Sequence, residues 1–185
     1  MKLYVSPTSP YARLACIMCL EAGLPGLEIV IVDPWQNPPA LARGNPAVRV
    51  PTLIFGRDGD HGALTESLLI ADYAARHTGA PEGLWFVNDT ERQIGGLCLG
   101  IIDAAAAVIA GRMVMSGSVE DPAFDGSTIA GRRRSAMVRS LDRLEDLLAA
   151  GAGASVAARP CLAAFLPAVV VDYLTMRFGG AYETP

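Results

Sequence analysis

Two cysteines near the start of the chain, Cys16 and Cys19, have the Cys-x-x-Cys spacing of dithiol redox sites. Such a site needs its nucleophilic thiol in the first turn of a helix, where free N–H groups and the helix dipole lower the thiol pKa. Both cysteines instead fall well inside a predicted helix, among the apolar residues of LACIMCL. Small apolar side chains suit a core position there. We therefore predict packed thiols, with a functional thiol as the alternative.

The residue at the predicted start of this helix is Ser9, which Pro10 follows. Serine in this position has two interpretations. It can be an N-cap whose oxygen accepts from the first-turn N–H groups, and proline at the first helical position suits that role. Its hydroxyl can also donate to an anion held at the positive end of the helix. The local sequence leaves both interpretations open.

Two later segments also carry residues suited to binding a small polar molecule. In RVPTLIF, Pro51 begins a predicted strand, and the bond before it is either cis, at a cost of about 0.5–1 kcal/mol, or trans on an edge strand. Glu66 and Ser67 begin a predicted helix. The helix N–H groups and the Ser67 hydroxyl can hold a carboxylate, and Glu66 can accept from an ammonium group. An ordinary helix cap is the alternative for this pair.

The hydrophobic pattern around these residues predicts one α/β unit followed by a helical region. Residues 1–78 read in the order βαβ-ββα, residues 79–89 form a linker, and residues 90–185 carry no strand signal. The predicted strands are KLYV, LEIVIV, RVPTLIF and ALT, and the predicted helices begin at Pro10, at residue 66, and at about residues 90, 127 and 160. The proline-rich stretch 33–46 is predicted to lack regular structure, and GAGAS (151–155) to be a flexible break.

The composition and the positions of a few residues argue against several classes of protein. A net charge of -4 over 185 residues argues against a nucleic-acid-binding protein, which normally has a basic surface. The N-terminus does not resemble a signal peptide, and the longest apolar run contains Asp103, so we expect a buried helix rather than a membrane span. His61 and His77 stand apart in the sequence and suggest no metal site or catalytic triad. With four cysteines and no dense framework, we expect a cytoplasmic protein with reduced thiols.

The opening KLYV-SPTSPYA resembles a glutaredoxin-like unit, whose site reads Cys-Pro-Tyr-Cys. Ser9 stands where the nucleophilic cysteine would be and Ala12 where the resolving one would be, so dithiol exchange is unavailable at this position. With LEAGL, VDPW…NP, NP…RVPTL and ALTESLLIADY, the chain resembles a bacterial cytosolic glutathione S-transferase with a serine-type active site. The resemblance is strong over residues 1–78 and loose from there to about residue 178.

This resemblance implies a thioredoxin-like, glutathione-binding N-terminal domain, an all-helical second domain and, usually, a homodimer. It implies that glutathione is the co-substrate, that the Ser9 hydroxyl activates its thiol without a metal, and that the acceptor is a small hydrophobic electrophile, as in detoxification. The alternatives are a glutathione-binding or ligand-binding protein with little catalysis and, less favoured, a glutathione-dependent thiol–disulfide oxidoreductase.

The same resemblance assigns the binding residues. Val50, before a cis bond to Pro51, would pair with the backbone of glutathione, and Arg49 would pair with its glycyl carboxylate. Glu66 and Ser67 would hold the γ-glutamyl end. Family members carry a capping box that residues 161–164 lack. They also continue into a further helix, so the expectation is either a shortened form or a second domain of which part is missing. Pro167 is expected to kink or interrupt the last helix.

Overall fold

The computed structural model of the protein describes residues 1–56, 62–77 and 79–179. Contacts within the chain divide it into two compact units, each of which is described separately. The first unit comprises residues 1–86 and 160–165, and the second comprises residues 87–159 together with the residues from 166 onward.

A four-stranded mixed sheet forms the centre of the first unit. Its strands are β1 (Lys2–Val5), β2 (Glu28–Ile31), β3 (Thr52–Phe55) and β4 (Gly62–Thr65). They lie in the order β2-β1-β3-β4, with β1 parallel to β2 and β3 antiparallel to both β1 and β4. The parallel pair is joined through a helix, as a right-handed crossover requires. The predicted βαβ-ββα order is confirmed.

Three α-helices belong to the part of this unit that the structure describes. They are α1 (Pro10–Glu21), α2 (Pro39–Gly44) and α3 (Ser67–Ala75). Helices α1 and α3 pack against one another, and Leu14, Met18 and Ile70 are fully buried. Leu3 and Leu53, paired across β1 and β3, are fully buried as well. This core fixes the starts of α1 and α3, which carry the candidate site residues.

The prediction that residues 33–46 lack regular structure is wrong. A 3-10 turn covers Pro34–Gln36, and α2 follows it. Proline is compatible with α2 because Pro39 is its first residue, where a backbone N–H would have no partner within the helix. Gly44 ends α2 against β3, where an added Cβ would collide with the Ile54 side chain. Residues 57–61, which include His61 and lie between β3 and β4, are outside the described residues.

The second unit is built from helices, and its described residues contain no strand. The helices are α4 (Asp89–Ser116), α5 (Thr128–Leu147), α6 (Gly153–Ala157) and the part of α7 (Leu162–Phe178) from residue 166 onward, with a 3-10 turn at Pro122–Gly126. The predicted all-helical region is confirmed. By length and composition α4 could cross a membrane, but half of its apolar window is buried inside the protein, which is typical of a core helix.

Two details of the helical region differ from the sequence prediction. The break predicted at 151–155 is confined to Gly151, whose φ of 109° lies inside a π-type turn over Leu148–Ala152, and α6 begins at Gly153. Pro167 lies inside α7, which continues through it to Phe178. An internal proline removes one helical hydrogen bond, and the neighbouring turns retain theirs. Pro167 was expected to kink or interrupt this helix, and the helix is not interrupted there.

Candidate functional site

Ser9 lies at the N-terminus of α1, between the end of β1 and the first helical turn. Its backbone is extended, with φ of -87° and ψ of 119°, and its Oγ accepts a hydrogen bond from the Ala12 N–H at 3.2 Å. Pro10 occupies the first helical position. Ser9 is therefore a helix cap, which was one of the two interpretations of the sequence.

Capping does not consume the hydrogen-bonding capacity of this serine. A hydroxyl has two acceptor lone pairs and one O–H donor, and the Ala12 N–H uses one lone pair. Within the described residues, no acceptor receives a hydrogen bond from the Ser9 O–H. The side chain is only partly buried. Ser9 can therefore remain a helix cap while it donates to an anion beyond the end of the helix.

Arg13 is a residue of this turn that sequence reasoning missed. Its guanidinium donates to the Pro7 carbonyl at 3.3 Å, and the Ser9 carbonyl accepts from the Arg13 N–H at 3.0 Å. These two contacts tie the loop before the helix to its second turn. The Ser9-x-x-x-Arg13 spacing, which puts both residues on one helix face, is the signal that could have identified it.

The two cysteines of α1 lie deeper in the structure than Ser9. Cys19 is fully buried, and Cys16 is half-buried. Burial, and to a smaller extent the neighbouring Cys16, raises the pKa of Cys19 to about 12. Burial also raises the pKa of Cys16. Because the thiolate is the reactive form, both positions are unsuited to nucleophilic chemistry at neutral pH. The buried environment of Cys19 agrees with its prediction as a core residue.

The segment before β3 contains the Val50–Pro51 peptide bond, which is cis, as the family resemblance implies. Pro51 is buried and Val50 is half-buried. Arg49 is exposed, with 67% of its side-chain surface accessible. The chain thus presents the Arg49 side chain and the Val50 backbone at the end of the sheet where β3 begins.

Glu66 and Ser67 lie where β4 gives way to α3. Glu66 has φ of 71° and ψ of 125°, a backbone conformation that non-glycine residues rarely adopt. Its carbonyl accepts from the Ile70 N–H at 3.1 Å. Ser67 is the first residue of α3 and is 5% exposed. Unusual backbone angles persist where surrounding structure enforces them, and they concentrate at binding sites.

Arg49 and Glu66 are in direct contact. Arg49 Nη2 donates to Glu66 Oε1 at 2.5 Å, although the residues are 17 positions apart. Both side chains are more than half exposed. The structure therefore brings together two residues that the resemblance assigned to opposite ends of one ligand. No side-chain hydrogen bond between described residues joins Ser9 to either of them.

The described residues contain no group of three or more His, Cys, Asp or Glu side chains placed to hold a metal ion. The donor set in the first unit instead combines a helix N-terminus, a hydroxyl, a guanidinium and a carboxylate. Such a set recognises an organic zwitterion with a further anionic group better than it recognises a cation.

Comparisons with known proteins relate this arrangement to one family. Residues 3–82 match the family model described as "Glutathione S-transferase, N-terminal domain". No curated protein matches the chain. The matched range contains the opening turn, the Val50–Pro51 segment and the start of α3.

Solved structures agree with this assignment. A glutathione S-transferase from Methylobacterium radiotolerans, in complex with glutathione sulfonate, is 27% identical with a TM-score of 0.76, over 96% of this chain and 80% of that one. A glutathione transferase homologue from Sulfitobacter with bound glutathione is 25% identical, with a TM-score of 0.66, over 96% and 83%. A glutathione S-transferase from Methylobacillus flagellatus with glutathione bound is 24% identical, with a TM-score of 0.74, over 96% and 84%, and shows the fold. The predicted fold class is confirmed.

Proposed function

We propose that the chain is a glutathione transferase, because residues 3–82 match the model of the glutathione S-transferase N-terminal domain and the chain is similar to bacterial glutathione S-transferases. In this proposal Ser9 stabilises the thiolate of glutathione, which attacks a small hydrophobic electrophile. The carbon–sulfur bond forms as the leaving group departs with its electron pair, or as an activated double bond accepts the thiolate.

The observation that carries this proposal is the Ser9 hydroxyl, which caps α1 and keeps its proton available. A free thiol has a pKa of about 8.5, and lowering it by two units requires about 2.7 kcal/mol of preferential thiolate stabilisation. A hydrogen bond to a charged group contributes about 1.5–3 kcal/mol, and a helix N-terminus about 0.3–1 kcal/mol. Ser9 and the start of α1 can together supply the required amount without a general base.

The remaining candidate residues suit the rest of glutathione. Glu66 can accept from the α-ammonium of the γ-glutamyl group, and the N-terminus of α3 with Ser67 can hold its α-carboxylate. Val50 can pair its backbone with the cysteinyl residue, and Arg49 can pair with the glycyl carboxylate. In this proposal the active protein is a cytoplasmic homodimer that detoxifies small electrophiles, as the family resemblance implies.

A second candidate is a glutathione-binding protein with little catalysis. The observation in its favour is the hydrogen bond that Ser9 Oγ accepts from the Ala12 N–H, because capping α1 is by itself a sufficient role for a serine at this position. On this alternative the chain binds glutathione without lowering the pKa of its thiol.

The test measures the thiol pKa of bound glutathione, from thiolate absorbance against pH, and steady-state conjugation of a generic aryl halide. Ser9→Ala is expected to raise that pKa by one to two units, roughly, and to lower conjugation about tenfold or more, while glutathione still binds. Ser127→Ala is the matched control, since Ser127 caps α5 with the same geometry, accepting from the Ala130 N–H at 3.1 Å. Binding without conjugation in the wild type supports the second candidate.

A further inference from the structure

The carbonyl oxygen of Arg49 accepts two hydrogen bonds from buried side chains. Asn45 Nδ2 donates to it at 3.0 Å, and Thr52 Oγ1 donates to it at 2.9 Å. Asn45 is 5% exposed and Thr52 is fully buried. The same Asn45 amide also lies 3.2 Å from Thr52 Oγ1, so the three groups form one network.

Asn45 uses each of its other polar groups within the same segment. Its N–H donates to the Leu41 carbonyl at 2.8 Å, which joins it to the end of α2. Its Oδ1 accepts from the Ala47 N–H at 3.0 Å, and its carbonyl accepts from the Val48 N–H at 2.8 Å. A buried asparagine with this many bonds specifies the path of the chain from α2 to β3.

The backbone conformation of Val48 indicates that surrounding contacts determine the path of the chain from α2 to β3. Its φ of 51° is left-handed, which is unusual for a β-branched residue. Such a conformation persists only where the surrounding contacts determine it, and it occurs preferentially at ligand-binding segments. The Asn45 network supplies these contacts on both sides of Val48.

The network also determines the orientation of the Val50 N–H. The Arg49 carbonyl and the Val50 N–H belong to the same trans peptide group, so they point in opposite directions. Two buried donors hold the oxygen toward the protein interior, which turns the N–H away from it. Within the described residues, the Val50 N–H has no hydrogen-bond acceptor.

We propose that Asn45 and Thr52 are positioning residues that orient the Val50 N–H toward the peptide backbone of glutathione. The inference rests on the proposed function, because it concerns the same ligand. Asn45 and Thr52 touch no ligand themselves, and they act through the Arg49–Val50 peptide group.

A pair of variants at Thr52 separates positioning from packing. Thr52→Val keeps the side-chain shape and removes the hydroxyl, so it is expected to raise the glutathione Kd roughly five- to tenfold, measured by titration calorimetry. Thr52→Ser keeps the hydroxyl and removes the methyl group, so its Kd is expected to stay within about twofold of the wild type. A packing role predicts the opposite order, which would overturn the inference.

Leu24→Ala serves as the control for lost stability. Leu24 is 6% exposed and follows the C-terminal end of α1, the end opposite Ser9. This variant is expected to lower the Tm while it leaves the glutathione Kd unchanged. An equal loss of affinity in Leu24→Ala and Thr52→Val would overturn the positioning role. A wild-type protein that does not bind glutathione would overturn the proposed function itself, whatever the variants do.

Discussion

Arg49 Nη2 lies 2.5 Å from Glu66 Oε1, so two side chains assigned to opposite ends of glutathione bind one another. Both are more than half exposed, and an exposed ion pair contributes only about 0–1 kcal/mol. Glutathione can therefore displace the pair at little cost. Alternatively, Arg49 keeps its contact and orients Glu66 toward the ammonium group.

Esterified glutathione distinguishes these two roles of Arg49. If Arg49 binds the glycyl carboxylate, Arg49→Gln is expected to weaken glutathione binding about tenfold and to leave the Kd of the glycyl monoethyl ester nearly unchanged. Arg43→Gln, an exposed arginine of α2, controls for the general loss of positive charge. Equal weakening of both ligands by Arg49→Gln would show that Arg49 acts through Glu66 instead.

Introducing sulfur at the start of α1 tests the position of the bound thiol. Ser9→Cys places a thiol at a helix N-terminus, where its pKa is lowered. Its thiolate is expected to attack glutathione disulfide, form a protein–glutathione disulfide and release one glutathione thiolate. Intact-mass spectrometry is expected to show one added glutathionyl group in this variant and none in the wild type, in which Cys19 is fully buried.

Ser127→Cys is the matched control for this reaction, because Ser127 holds the same capping position on α5. It has the helix terminus without the candidate glutathione site. We expect Ser9→Cys to react at least about tenfold faster, since binding raises the local concentration of the disulfide. Equal rates in the two variants would mean that the start of α1 offers no bound glutathione.

The order of strands and helices could be predicted from the sequence because it follows from local patterns. Short apolar runs bounded by turn residues marked the strands, and Ser9-Pro10 marked the start of α1. The helix α2 was missed because its prolines indicate loop, although proline is compatible with a first helical turn. Six residues are also too few for a helical period to be visible.

Contacts within the site were less accessible to sequence reasoning. The Arg49–Glu66 pair depends on the register between β3 and β4, in which Thr52 lies opposite Thr65. A shift of one residue would turn these side chains to other faces. The role of Asn45 depends on a hydrogen-bond network that forms only when α2 packs beside β3. The roles of the individual site residues stay predictions.

The buried thiols predict a loss of stability at alkaline pH. Burial raises the pKa of Cys19 to about 12, with Cys16 adding to the effect, and burial raises the pKa of Cys98 to about 12. The unfolded chain releases these protons near the ordinary value of 9.0, whereas the folded chain retains them. Below about pH 9 the two thiols therefore leave the free energy of unfolding unchanged. As the pH rises from there toward about 12, they lower it progressively.

Urea unfolding at about pH 8 and about pH 10 measures this effect. Each thiol is expected to reduce the free energy of unfolding by about 1.4 kcal/mol over that interval. The double variant Cys19→Ala with Cys98→Ala is expected to lose about 3 kcal/mol less than the wild type as the pH rises, although it is less stable at both values. The same pH dependence in both proteins would show that other groups are responsible.

A buried ion pair in the second unit is expected to dominate its local stability. Arg112 donates to both carboxylate oxygens of Asp125, at 2.8 and 2.5 Å, and to the Val119 carbonyl at 3.3 Å. The Arg112 and Asp125 side chains are 9% and 13% exposed. The hydrogen bond that Arg112 donates to Asp125 raises the pKa of Arg112, so the guanidinium stays charged. It ties the segment after α4 back to that helix.

Removing Arg112 leaves the buried Asp125 carboxylate with the longer contact to Arg134 Nη1, at 3.5 Å, and without its two short hydrogen bonds. Losing the main partner of a buried charge costs roughly 3–5 kcal/mol. Arg112→Met is therefore expected to lower the free energy of unfolding by about that amount in urea titrations, whereas Arg92→Met is expected to change it by less than about 0.5 kcal/mol. Arg92 is the control because its pair with Asp89 lies on the same helix at 55% and 94% exposure.

Adding Asp125→Leu to Arg112→Met is expected to restore much of the lost free energy of unfolding, since the buried carboxylate is then removed as well. If the double variant is as unstable as Arg112→Met, the cost comes from lost packing against Phe178, whose ring lies 5.2 Å from the guanidinium.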